Sequence, residues 1–405
     1  MLGKVACTVA LLLAANGVRA EDKALQHARE VLHASILIDG HNDLPWTVRT
    51  DPGARGHVEL YDLRKPAPGQ TDLARLRAGG LGAQFWSVYV PGESSGDYAR
   101  VQLEQIDIAR RIIERYPEAF RLALTAADIR AAHRAGRIAS LIGMEGGHAI
   151  ENSLGALRAY YDLGVRYMTL THNTHTDWAD SAAQDPPRHH GLTPFGEQVV
   201  LEMNRLGMLV DLSHTSADTM RAALRVSRAP VIFSHSSARA LCDVPRNVPD
   251  DVLVSLKANG GILMVTFVAG FIDPEVARVT QPAMQEYNLR SRGIDSEAER
   301  DRLEKEIYSK LVIPVTTVAK VADHIEHVRN VAGIDYVGLG GDFDGNDRWP
   351  SGLSDVSMYP NLFAELIRRG WTDAELKKLA GENVLRVMER AEAVSAKLRA
   401  TMPAS

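Results

Sequence analysis

The stretch Ser35-Ile36-Leu37-Ile38-Asp39-Gly40-His41-Asn42-Asp43 starts as an aliphatic run and ends in four polar side chains around a glycine. An apolar run without alternation is what a strand buried on both faces requires, as in a parallel sheet covered by helices. Residues two apart on an extended chain project to the same side, so His41 and Asp43 can grip one ion together. The same order, apolar run and then polar cluster, recurs along the chain. Strands are expected at 35–39, 83–90, 138–143, 167–171, 208–212, 231–234, 262–267 and 336–340. Amphipathic segments at 98–116, 126–135, 153–163, 194–206 and 250–258 separate them. Strands alternating with helices in this number predict an α/β fold, a (β/α)8 TIM barrel, with a doubly wound open sheet as the alternative. Between the last two strands, 281–310 is rich in Glu and Arg and reads as a solvated helical insertion. A partial lid over the barrel mouth is the functional alternative for that segment.

Composition narrows the classes. The chain has 405 residues, 45% hydrophobic and 24% charged, which suits a globular protein and excludes a disordered, collagen-like or coiled-coil chain. A net charge of −5 with no basic stripe argues against nucleic-acid binding. Two cysteines exclude a disulfide scaffold and a Cys-rich zinc module. No repeat or linker divides the sequence, so 21–405 is expected to be one domain.

Residues 1–20 read as a secretory signal peptide. Lys4 precedes a short apolar run, and Val18-Arg19-Ala20 offers a small-x-small cleavage site. The mature protein is expected in a secreted or periplasmic setting, without a membrane anchor and with Cys242 as its one thiol.

Polar residues gather just past the ends of the expected strands. They include His41 and Asp43, Glu145 in Gly143-Met144-Glu145-Gly146-Gly147-His148, and His172 in Thr171-His172-Asn173. Asp211-Leu212-Ser213-His214, Ser234-His235 and Gly341-Asp342-Phe343-Asp344-Gly345 follow. In a barrel these converge on one mouth, where such enzymes keep their catalytic groups. A histidine at one strand end is usually structural; four at the same end with acids on two further strands point to a metal site. Imidazole and carboxylate without thiolate suit zinc, with manganese, cobalt or iron as alternatives. A competing motif, Gly92-Glu93-Ser94-Ser95-Gly96, matches a nucleophile elbow, but that reading leaves the histidines and acids without a role. It is taken as a turn.

At these residues the sequence resembles the membrane (renal) dipeptidase family, zinc metallopeptidase family M19. The matching text is His41-Asn42-Asp43-Leu44-Pro45-Trp46, Ala83-Gln84-Phe85-Trp86-Ser87, Glu145-Gly146-Gly147-His148, Leu170-Thr171-His172-Asn173, Val210-Asp211-Leu212-Ser213-His214, Ser234-His235-Ser236 and Gly341-Asp342-Phe343-Asp344-Gly345. The resemblance implies a (β/α)8 barrel with two zinc ions and a dipeptide substrate, and it allows a homodimer. By position, His41 and Asp43 would hold one zinc, His214 and His235 the other, and Glu145 would bridge them. His172 would contact the substrate, Arg246 would bind its free carboxylate, and Asp342 would handle the proton. Vertebrate members carry disulfides and a lipid anchor; the text here points instead to a bacterial-style exported dipeptidase.

The implied chemistry is attack by a metal-bridging hydroxide on the peptide carbonyl. His172 would steady the oxyanion and Asp342 would act as base and then acid. Another binuclear amidohydrolase, acting on cyclic amides or lactones, is the rival enzyme, and a silent dipeptide-binding homologue the rival from another class. His148 and Asp211 are candidates for orienting the metal-binding histidines. Trp46, Phe85 and Trp86 are read as packing.

Overall fold

The computed structural model describes residues 22–401 apart from Ser95; the expected leader lies outside the described residues. The strands are β1 (Leu37–Asn42), β2 (Leu81–Tyr89), β3 (Phe120–Leu122), β4 (Ile138–Glu145), β5 (Val165–Thr169), β6 (Leu209–Asp211), β7 (Ile232–Ser236), β8 (Ile262–Val265) and β9 (Val337–Leu339). They pair in the order β2-β1-β9-β8-β7-β6-β5-β4, and β2 also pairs with β4, which closes a parallel ring of eight. This is a (β/α)8 barrel. β3 stands outside the ring, paired only with β4. Its three residues were too short a run to be expected from sequence. The eight expected strands all form, with ends shifted by up to three residues.

Local chemistry sets where the strands begin. Thr125, Ser153, Thr193 and Ser216 each cap the helix that follows, accepting from a backbone N–H one turn in. Gly207 and Gly260 end their helices at φ 85° and 81°, a left-handed turn that glycine adopts without a Cβ penalty, so β6 and β8 start within two residues. Pro194 opens its helix where a missing N–H costs nothing.

Inside the ring the residues alternate. Ala83 and Phe85 on β2, Leu141 on β4 and Tyr167 on β5 pack with Ile38, Leu209, Ile232, Ile262 and Met264 as an inner core. Trp86, Ile142 and Met168 face outwards to the helices in a second, larger core. Continuing the inner parity upward reaches Ser87 and Tyr89, Gly143 and Glu145, and Thr169. The barrel floor is therefore apolar and its mouth polar, from one alternation.

The insertion between β8 and β9 consists of two helices, Pro274–Arg290 and Glu297–Tyr308. It begins earlier than the expected 281–310. Among the described residues, no helix is long and apolar enough to cross a membrane.

Candidate metal centre and substrate cleft

Each strand end delivers one part of the site. β1 carries His41, and Asp43 follows where helix Leu44–Thr50 begins. β4 ends on Glu145, and Gly146 turns the chain away at φ 112°. His214 follows β6 and His235 lies within β7. His214, Asp342 and Asp344 hold φ values of 64°, 66° and 63° without being glycine. Such strain persists only where surroundings over-determine it, and it concentrates at functional sites. At His214 the surroundings are visible: its carbonyl accepts from Ala182 N at 2.8 Å and from Thr171 Oγ1 at 3.1 Å.

Glu145 is the hub. Its Oε2 lies 3.4 Å from His41 Nε2 and accepts from Ser87 Oγ at 3.2 Å. Its Oε1 lies 3.0 Å from His214 Nε2 and 3.4 Å from His235 Nε2. His41 Nε2 is also 3.3 Å from Asp43 Oδ2. Two donor sets result, His41–Asp43–Glu145 and Glu145–His214–His235, each with ligand-capable atoms within 4.8 Å of one another. They share only Glu145, through different oxygens. A third set, His41–His235–Asp342, overlaps both.

The electrostatics favour a cation in this space. Burial pushes the carboxyls of Glu145 and Asp342 upward, and the neighbouring acid Asp43 adds to it. Burial, with Arg246 and the other imidazoles, holds His214 well below its ordinary value; burial first also depresses His172 and His235. His41 is the exception: Tyr167, Glu145 and Asp43 outweigh the cost of burial and pull it up. His41 Nε2 and Asp43 Oδ1 are buried without a hydrogen-bond partner, and His214 and His235 turn their Nε2 atoms to each other at 2.9 Å. Lone pairs converging in this way fit a divalent cation.

The cluster opens into a cleft of about 870 Å³. His172 stands at its wall, Nε2 3.8 Å from Glu145 Oε1, its ring against His214 and Tyr89 at 4.3 and 4.7 Å. Arg246 is 5% exposed and lines the same cleft. It donates to Ser236 Oγ at 2.9 Å and to the His235 carbonyl at 3.0 Å, and lies over Phe271. Burial lowers it to about 10, so it stays charged at neutral pH. Asp342 faces the same cluster, Oδ1 3.9 Å from His41 Nε2. Asp344 points elsewhere, accepting from Gln70 N at 2.8 Å. Gly345 has no room for a side chain: a Cβ would sit 2.3 Å from Asp43 Oδ2 and 2.6 Å from Asp342 Oδ1.

All eight expected site residues, His41, Asp43, Glu145, His172, His214, His235, Arg246 and Asp342, therefore meet at one mouth. Of the other expectations, some change and some stand. The insertion is no mere solvated face: Thr280, Met284, Asn288, Arg300 and Tyr308 line the cleft. Trp46 lines it too, packed edge-on to Tyr89, while Phe85 and Trp86 are buried packing. His148 pairs with the Val90 carbonyl at 3.0 Å rather than with a histidine of the cluster. Asp211 reaches the His235 ring through Ser234. Ser94 bonds to the Pro91 carbonyl in a turn. Sequence reasoning missed Asp39, which accepts from Gln84, Gly341 and Tyr359 and ties β1, β2 and the β9 loop together beneath the site.

The model of the membrane dipeptidase family, peptidase family M19, matches residues 25–402. Among similar proteins, Dipeptidase 3 of Rattus norvegicus is 43% identical over 368 residues, covering 89% of this chain and 66% of its own length. The chain thus spans just under two thirds of that relative. Dipeptidase verJ of Clonostachys rogersoniana is 42% identical over 391 residues, covering 94% of this chain and 90% of its own. A solved metallo peptidase from Rhodobacter sphaeroides, liganded with a phosphinate mimic of the dipeptide L-Ala-D-Ala, superposes with a TM-score of 0.70 at 26% identity, covering 88% of this chain and 99% of its own.

Proposed function

The chain belongs to the membrane dipeptidase family, peptidase family M19, and we propose that it is an exported dipeptidase working with two zinc ions. The observation that carries this reading is Glu145, whose two oxygens face two separate donor sets. His41 and Asp43 would hold one ion and His214 and His235 the other. When bound, the ion pair supplies Lewis acidity toward the peptide carbonyl and a nucleophile at neutral pH. The rest falls to the chain's own side chains. Arg246 offers a charged fork to the free C-terminal carboxylate of a dipeptide. His172 donates a hydrogen bond to the oxygen on which negative charge develops. Asp342, whose carboxyl burial makes more basic, accepts the proton of the attacking water and returns it to the departing nitrogen. The relative liganded with a dipeptide mimic supports this substrate class. The leader at 1–20 supports export, and the exported protein is expected to begin at Glu21.

A two-by-two comparison tests the assignment: wild type and Arg246→Ala, each with a free-acid dipeptide and its C-terminal amide. The free acid should lose about a hundredfold in kcat/KM, near 3 kcal/mol for a buried charge-assisted contact, and the amide far less. Metal content should hold. Because Arg246 also braces the His235 carbonyl, equal losses on both substrates would show that it only props the loop, and the explanation of dipeptide selectivity would fall.

A further inference from the structure

Two buried hydroxyls stand directly behind two of the metal-binding histidines. Tyr167 Oη lies 2.8 Å from His41 Nδ1 and 3.2 Å from the Gly40 carbonyl oxygen. A carbonyl can only accept, so the phenol spends its single hydrogen on Gly40 and its oxygen takes one from His41 Nδ1–H. Ser234 Oγ repeats the arrangement, 2.6 Å from Asp211 Oδ2 and 2.8 Å from His235 Nδ1. Asp211 accepts on both oxygens, from Thr169 Oγ1 at 2.6 Å and from the backbone N–H groups of Ser213 and Ser234 at 3.1 and 2.8 Å. That leaves the carboxylate as an acceptor, so Ser234 donates to it and receives from His235 Nδ1–H. In both cases the hydrogen is fixed on Nδ1 and the Nε2 lone pair is turned toward Glu145. His214 has no such partner, since its Nδ1 is buried and unpaired; its backbone carbonyl contacts place it instead.

We infer that Tyr167 and Ser234 are positioning residues, one hydroxyl for each metal position, that set the nitrogen His41 and His235 present. The fold makes room for this deliberately placed phenol. A Cβ on Gly143 would fall 2.0 Å from the Tyr167 ring, so only glycine on β4 lets the ring cross the barrel to His41. Both hydroxyls belong to residues that strand parity alone reads as interior packing. The inference rests on the two-ion reading above.

The test is metal binding, measured on purified chelator-stripped protein titrated with zinc, together with the nitrogen-15 NMR signature of the His235 ring in the metal-free state. Tyr167→Phe keeps the ring and loses the oxygen; it should weaken one binding step tenfold or more and spare the other. Ser234→Ala should weaken the other step by a similar factor, and Ser234→Thr, which keeps the hydroxyl, should hold wild-type affinity. In metal-free wild type, His235 should carry its hydrogen on Nδ1, and Ser234→Ala should lose that fixed preference. Wild-type affinity at both steps in Tyr167→Phe and Ser234→Ala would overturn the inference, as would a His235 ring protonated on Nε2 in wild type. If wild type bound no zinc while His235 kept the Nδ1 hydrogen, the two-ion reading would fail and the hydroxyl's control of the ring would stand.

Discussion

At the scale of single residues, spacing and position carried the site, and hydrogen bonds behind it stayed hidden. His41 and Asp43 were legible because two residues on an extended chain share a face. Glu145 was legible because an acid set among glycines follows an apolar run. Tyr167, Ser87 and Ser234 were not, since nothing in a single sequence distinguishes a hydroxyl facing a ligand from one facing a core. Gly345 belongs to the same hidden class. Gly345→Ala should push Asp43 and Asp342 apart, cutting metal content and dipeptide hydrolysis together while the far-ultraviolet circular dichroism spectrum stays unchanged. Full metal content in that variant would show that the loop yields without disturbing the acids. Cys242 offers a simpler check. It is 1% exposed among Val244, Phe271 and Ala277, and burial raises its thiol to about 12, so a thiol reagent should label it only after denaturation. Rapid labelling of the native protein would mean that this cluster opens.

At the scale of elements, the eight ring strands were legible from their apolar runs and β3 was not, since three residues give no period. The loop that carries Arg246 shows how an element is pinned. His324, on helix Val318–Val331, accepts from Ala238 N at 3.1 Å and donates from Nε2 to the Ile272 carbonyl at 3.1 Å. The bond from Ala238 needs the neutral ring, and burial lowers His324 to about 4. A group depressed in the fold binds its proton more readily when unfolded. Its stabilising effect is therefore complete above the unfolded value near 6.5 and is lost as pH falls toward about 4. Between pH 7.5 and pH 5 this group should account for about 2 kcal/mol of lost stability. Other buried histidines titrate as well, so the quantity to compare is the drop in unfolding free energy of metal-free wild type against His324→Gln. A drop smaller by about 2 kcal/mol in the variant is expected. Equal drops would mean that His324 reaches solvent in the folded state.

At the scale of the whole molecule, the barrel is a frame and the insertion closes it on one side. Its charge run looked like a solvated face because its outer surface is one; the inner surface shows only once the helices are folded back over the mouth. Two contacts help to hold it there. Gly293 N donates to the Glu93 carbonyl at 3.0 Å, and Arg348 from the β9 loop lies 4.2 Å over the Tyr308 ring. A cation–π contact of this kind contributes about 1 kcal/mol. Arg348→Ala should therefore speed hydrogen exchange several-fold in helix Glu297–Tyr308 and leave β4 protected; unchanged exchange there would show that the insertion is held by other means. The central claim concerns what the frame holds. Chelator-stripped protein is reloaded with zinc in steps, and hydrolysis of a free dipeptide is followed at each step. Activity should be absent without metal and level off at two equivalents per chain, in keeping with two donor sets that share Glu145. Activity that survives complete metal removal, or that levels off at one equivalent, would contradict the account.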